Sequence, residues 1–196
     1  GVDRPRRQVR RGHLPCGPAQ VGQVRRRAPD LPNLRWSAGE VTAPDLPPGS
    51  VDTVRTERVL MYVADLDAAA AAIAAVLRPG GVFTGFELDY GATVLPRAGR
   101  PPAAVRRLAA CLEEALPQPW AGRLLPEVLA ARGLRVDAVE PFAFAVDRAV
   151  WERIVAATLR VAAADGRLDD PGLDAWLTAL EEPDVPFRAA FTGTVT

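Results

Sequence analysis

The sequence predicts an α/β protein with a largely parallel sheet, and three stretches between residues 50 and 89 carry that expectation. Ser50 to Val54 follows the turn-forming Pro47-Pro48-Gly49 and places Val51 and Val54 as the apolar positions of a short strand. Leu66 to Leu77 is rich in alanine, the strongest helix former, and Leu66, Ile73, Val76 and Leu77 give it one narrow bulky stripe, with Asp65 or Asp67 available as its cap. Pro79-Gly80-Gly81 is expected to stop that helix, and Val82 to Leu88 supplies β-branched and aromatic residues for a second strand. A strand, a crossover helix and another strand normally pair parallel with a right-handed connection.

The whole phrase SVDTVRTERVLMYVADLDAAAAAIAAVLRPGGVF closely resembles the fourth strand, D helix and fifth strand of the class I S-adenosylmethionine (SAM)-dependent methyltransferases. The specific parts are Gly49-Ser50-Val51-Asp52, Glu57-Arg58-Val59-Leu60 and Leu77-Arg78-Pro79-Gly80-Gly81. The resemblance implies a Rossmann-like, doubly wound, mostly parallel sheet with helices on both faces and an antiparallel C-terminal strand, incomplete at its N-terminal side. It also implies SAM as cofactor and a small molecule as methyl acceptor, in a protein of bacterial type.

At 196 residues the chain suits one domain, and a hydrophobic content of 48% with zero formal net charge suits a globular one. All 24 basic residues are arginine, which together with the lack of lysine points to GC-rich coding DNA before it points to a binding surface. Cys16 and Cys111 have no metal-ligand spacing and fit a reducing cytoplasm. No apolar run reaches the about 20 residues that a membrane span needs, so no membrane partner is expected. Residues 1–30 hold eight arginines against two aspartates and are expected to form an irregular basic arm, with a partial methyltransferase domain over 31–196. The arm has no aromatic side chain to stack on bases, so nucleic acid is not the expected partner. Its composition would also fit a shifted reading frame between about Arg4 and Gln23 in GC-rich DNA.

Taken in order, Gly1-Val2-Asp3 resembles the end of the family's second strand, which implies that Asp3 grips the ribose hydroxyls; a carboxylate suits them because it only accepts hydrogen bonds. Asn33 to Ser37 alternates as a third strand would. Ala38-Gly39-Glu40-Val41 resembles the family's Gly-Asp-Ala element, so Gly39, Glu40 and Val41 are candidate adenine contacts, with glutamate one methylene longer than the family's aspartate. Arg55, Thr56 and Glu57 follow the strand at Val54. Ligands of open α/β sheets bind beyond the carboxyl ends of strands, so these three and Arg58 are expected to face the methionine part of the cofactor or the substrate. Met61 is expected in the core. Phe86-Glu87-Leu88-Asp89-Tyr90 is expected at the outgoing end of the next strand, as a rim that no single catalytic base can be named from.

Further on, Ala103 to Leu116 has helical spacing through Val105, Leu108, Leu112 and Leu116. Pro119-Trp120-Ala121-Gly122-Arg123 resembles a Pro-Trp-x-Gly-Arg phrase of bacterial members and leads into a helix from Leu125 to Ala131, closed by Gly133. Leu134 to Val146 alternates as a strand, helices are expected over 148–164 and 171–180, and Phe187 to Val195 should be the last strand. By resemblance that strand is antiparallel and enters the sheet between the two before it.

The family's first strand and its Gly-x-Gly-x-Gly loop have no counterpart in the sequence, so a longer polypeptide is expected and SAM binding by these residues alone should be weak. Two function classes follow: a methyltransferase acting on a small molecule, or a non-catalytic methyltransferase-like interaction module. A nicotinamide-dependent dehydrogenase would need Gly-x-Gly-x-x-Gly after a first strand, which is also missing. His13, the only histidine, lies in the arm and is a poor general base.

Overall fold

The computed structural model describes residues 37–196 apart from Pro183 and Pro186. Asp3, the basic arm and the expected strand at Asn33 lie outside the described residues. The elements are β1 (Val51–Glu57), a 3-10 turn (Leu60–Tyr62), α1 (Leu66–Val76), β2 (Leu77–Val94), α2 (Pro102–Glu114), α3 (Ala121–Ala131), β3 (Glu140–Ala145), α4 (Arg148–Trp151), a π-helical turn (Glu152–Ala156), α5 (Ala157–Ala164), α6 (Leu173–Glu181) and β4 (Ala190–Val195).

The sheet order is β1-β2-β4-β3. β1 and β2 pair parallel, as the strand-helix-strand reading requires, with Val54 opposite Phe83. β4 pairs antiparallel with both β2 and β3. Hence β1, β2 and β3 all run the same way and β4 alone opposes them, inserted where the resemblance put it.

Several boundaries differ from the sequence reading. β1 does not stop at Val54; Arg55, Thr56 and Glu57 continue the ladder opposite Thr84, Gly85 and Phe86. Asp65, not Asp67, caps α1, its carboxylate accepting from the Ala68 N–H at 2.8 Å. α1 ends at Val76, ahead of Pro79-Gly80-Gly81, and β2 begins at once. The register then shifts between Val51 and Thr53, where Gly80 has a φ of 75°. That conformation is free for glycine and lets the turn sit within the strand.

β2 continues to Val94 because β4 gives its second half a partner, with Asp89 opposite Thr192 and Val94 opposite Ala190. Residues 134–139 are irregular, and β3 occupies only Glu140–Ala145, since β4 offers it a ladder of the same length from Val195 to Ala190. α3 starts at Ala121, four residues before the expected Leu125, and carries Pro126 inside it. Its end follows expectation: the Gly133 N–H bonds the Ala130 carbonyl and the Leu134 N–H that of Leu129, a Schellman closure around a positive-φ glycine.

The core is continuous. Leu60, Leu108, Leu112, Leu125, Leu159 and Leu177 have essentially no exposure and belong to one cluster with Trp151 and Trp176. One face of the sheet carries an aromatic ladder, Phe86 stacked on Phe142 at 4.6 Å and Tyr90 tilted against Phe191 at 5.2 Å. α3 lies on β2 at backbone contact: a Cβ on Gly122 would sit 2.8 Å from the Glu87 carbonyl oxygen and 3.1 Å from the Leu88 carbonyl carbon. Neither atom can rotate away. Gly122→Ala should therefore cost about 1 to 3 kcal/mol despite the better helix propensity of alanine, read as a lower urea midpoint.

Candidate functional site

The carboxyl end of β1 lies beside the middle of β2, Glu57 opposite Phe86, where β1 gives way to the 3-10 turn. Arg58 makes the bend with a φ of 53°, a left-handed conformation that costs a non-glycine residue about 1 to 2 kcal/mol. The surrounding hydrogen bonds hold it there. The Arg58 N–H donates to the Phe86 carbonyl at 2.7 Å, and the N–H groups of Val59 and Leu60 both donate to Glu87 Oε1 at 3.1 Å.

Glu87, one of the two acids of the rim expected over Phe86 to Tyr90, lies in the interior. Its exposure is 0%, and Asp89 is also buried. Burial pushes the Glu87 carboxyl upward, against the lowering effect of the Leu60, Val59 and Met61 N–H groups and the Thr56 hydroxyl. Glu87 Oε2 and Thr56 Oγ1 are nonetheless left without a well-formed hydrogen bond. Asp89 is clamped by Arg123, whose Nε and Nη2 donate to its two oxygens at 2.7 and 2.9 Å. Arg123 also lies 5.4 Å from the ring of Trp120, whose indole N–H donates to Glu113. The Pro-Trp-x-Gly-Arg phrase is thus a staple between α3 and β2.

The expected site residues are distributed as follows. Thr56 is buried at the end of β1. Arg55 and Glu57 are exposed and paired at 2.8 Å, while Arg58 approaches Glu57 only to 3.8 Å. Gly39 and Glu40 are exposed and Val41 is partly buried against the core, at a turn closed by the Ala43 N–H on the Glu40 carbonyl. Met61 is in the core, as expected.

The Arg58 charge acts on two phenols. Burial raises the Tyr62 pKa, with Arg58 acting to lower it and Glu87 to raise it. Burial raises Tyr90 to about 12, Tyr62 adding to the shift and Arg58 opposing it. Sequence reasoning singled out neither Glu87 as a support for the bend nor Tyr62 and Tyr90 as a pair. The one available signal was the pair of acids, Glu87 and Asp89, between apolar residues of a strand.

The connections leaving the carboxyl ends of β2 and β3 fold into helices that meet. Arg100, before α2, pairs with Asp170, before α6, and its guanidinium lies 5.3 Å from the Trp176 ring. Trp151 of α4 meets Trp176 edge-on at 5.8 Å. Among the described residues no group of three or more His, Cys, Asp or Glu side chains could hold a metal, and no helix is long and apolar enough to cross a membrane.

Comparison with known proteins agrees with this architecture. A family model described as a methyltransferase domain matches residues 16–84, a span that takes in β1, α1 and the start of β2. An uncharacterized 37.1 kDa protein in transposon TN4556 of Streptomyces fradiae is 43% identical over 70 residues, 36% of this chain and 20% of that protein. The chain thus spans about a fifth of the length of that curated relative. Among solved structures, a candidate methyltransferase of Bacillus halodurans C-125 superimposes with a TM-score of 0.61 at 8% identity, over 95% of this chain and 80% of that one. The YcgJ protein of Bacillus subtilis gives a TM-score of 0.50 at 13% identity, over 90% and 74% of the two chains. At such identities the structural likeness is one of fold. Fold and family match together bear out the resemblance to the class I SAM-dependent methyltransferases that Ser50 to Asp89 carries.

Proposed function

We propose that the chain is the methyltransferase domain, over residues 31–196, of a cytoplasmic enzyme that transfers a methyl group from SAM to a small molecule, with residues 1–30 as a basic arm. The observation that carries this reading is the coincidence of two independent facts. The family match runs through β1, α1 and β2, and the same elements bring a strained arginine, two phenols and a buried threonine hydroxyl to the carboxyl edge of the sheet. That edge is where open α/β sheets bind ligands.

The residues present suit SAM in kind. Thr56 offers a buried hydroxyl without a well-formed partner, and Arg55 and Glu57 offer charge on the opposite face of the strand. Glu40 offers a carboxylate for an exocyclic amine, with the Gly39 and Val41 backbone on either side, and Asp3 would serve the ribose hydroxyls. When bound, SAM supplies an electrophilic methyl carbon. The protein's own contribution is to bring two partners into line, a task in which orientation alone is worth several orders of magnitude in rate and no single catalytic side chain is required.

Incubation of the full-length protein with methyl-labelled SAM and a low-molecular-weight cell extract tests the reading. Label should pass into the small-molecule fraction. Label found only in protein or nucleic acid would refute the acceptor class, and no transfer with no SAM binding would favour a non-catalytic interaction module.

A further inference from the structure

β3 ends the sheet, with β4 as its one neighbouring strand among the described residues. The backbone bonds fix which of its polar groups are left over. Gly85 and Thr196 exchange both N–H to carbonyl bonds at 2.9 and 3.0 Å, and the Val146 N–H donates to the Ala189 carbonyl at 2.9 Å. Antiparallel ladders alternate, so Phe142 and Phe144 aim their N–H and carbonyl groups at β4, whereas Ala143 and Ala145 aim theirs outward together with the Pro141 carbonyl. A proline suits this place because its missing N–H falls on the outer side. Pro141, Ala143, Phe144 and Ala145 are exposed, Phe144 to 39%. Natural edges are usually blunted by a lysine or an inward-pointing charge, and this one has neither between Pro141 and Val146.

We infer that β3 pairs antiparallel with β3 of a second copy of this chain, about a two-fold axis at Ala143. The outward groups are complementary to themselves in that register. Ala143 exchanges both backbone bonds with the partner's Ala143, and the Ala145 N–H meets the carbonyl of the partner's Pro141. Phe142 falls opposite the partner's Phe144 in a non-hydrogen-bonded pair, where side chains lie closest. Phe144 already lies 6.0 Å from both Phe142 and Phe191, so the pairing carries the aromatic ladder of one sheet into the next. Charge agrees with self-association. Glu140 is the one ionised side chain of β3, and the pairing sets the two glutamates at opposite ends, about 20 Å apart and beyond the screening length. A strand of 6 residues buries less than the about 800 Å² per partner of a standard interface, so the dimer should be weak, with a Kd of about 10 to 100 μM.

Sedimentation velocity of the full-length protein from about 1 to 500 μM brackets that range. Wild type should pass from monomer to dimer, and hydrogen exchange of the Ala143 and Ala145 N–H groups should slow in step, while the Phe144 N–H is protected throughout. Ala143→Pro removes an outward N–H and leaves the bonds to β4 in place; Ala143→Lys sets like charges across the axis without touching the backbone. Both should stay monomeric at the highest concentration. Urea midpoints identify a variant that fails to fold, and the lysine variant decides the matter if the proline one does.

A wild type that is monomeric throughout overturns the inference, as does a dimer that survives Ala143→Lys, which would place the interface elsewhere. Ala143 and Ala145 N–H groups already protected in dilute protein would show the edge covered by another part of the same chain. Protection gained only on adding cell extract would assign the edge to a different protein. Either result also overturns pairing between copies.

Discussion

Glu87→Ala is expected to lower stability by about 3 to 5 kcal/mol, because it removes the sole acceptor of two buried N–H groups and opens a cavity beneath the bend. Glu87→Gln should behave in the opposite way. Its carbonyl oxygen can accept from Val59 and Leu60 as Oε1 does, and its amide can donate to the Thr56 hydroxyl, which lacks a well-formed partner at present. The two variants also differ in their dependence on pH. The Glu87 carboxyl is raised above its ordinary 4.5 by burial, so above pH 4.5 the folded state holds a proton that the unfolded state has released. Glu87 therefore contributes a stability that falls as pH rises from 4.5 through the raised pKa. Urea titrations across that range should show the fall in wild type and its absence in Glu87→Gln. A glutamine variant as unstable as the alanine one would show that the hydrogen-bond account of the bend is wrong.

The second large effect is expected at Asp170. Its side chain is 4% exposed and that of Arg100 12%, so Asp170→Ala leaves an arginine buried without its partner, at a cost of about 3 to 5 kcal/mol. The pair is joined through one arm only: Arg100 Nη2 donates to Asp170 Oδ1, which also accepts from the Gly172 N–H at 3.1 Å, while Arg100 Nη1 and Asp170 Oδ2 have no partner. An ion pair so incompletely bonded recovers little of its desolvation. The double replacement Arg100→Met, Asp170→Leu should restore stability to wild-type level or above it. A double-mutant cycle by thermal denaturation measures this directly, and simple additivity of two large losses would contradict it.

The part of the fold legible in the sequence was the part fixed by local chemistry. Alanine content made α1, Gly133 closed α3, and the family phrase from Ser50 to Phe83 put two strands side by side. What was not legible depends on partners distant in the chain. Thr56 and Glu57 are in a strand because Gly85 and Phe86 pair with them, and β2 reaches Val94 because residues about a hundred positions later lie against it. β3 is short because β4 is short. The candidate site was half legible on the same ground. Arg55, Thr56 and Glu57 were marked by their position after a strand, whereas Glu87 was only one of several polar groups in an expected rim. Nothing in the sequence near residue 87 says that Val59 and Leu60 turn their N–H groups toward it.

β4 lies in space between two strands that both precede it in the chain. During synthesis, β2 and β3 therefore leave the ribosome before the strand that joins them exists. Their facing edges, with Phe86 and Phe142 among the residues flanking the gap, stay open until Ala190–Val195 follows. A nascent chain halted after residue 182 would be expected to occupy a chaperone, and release of the next few residues would be the step that completes the sheet in one movement.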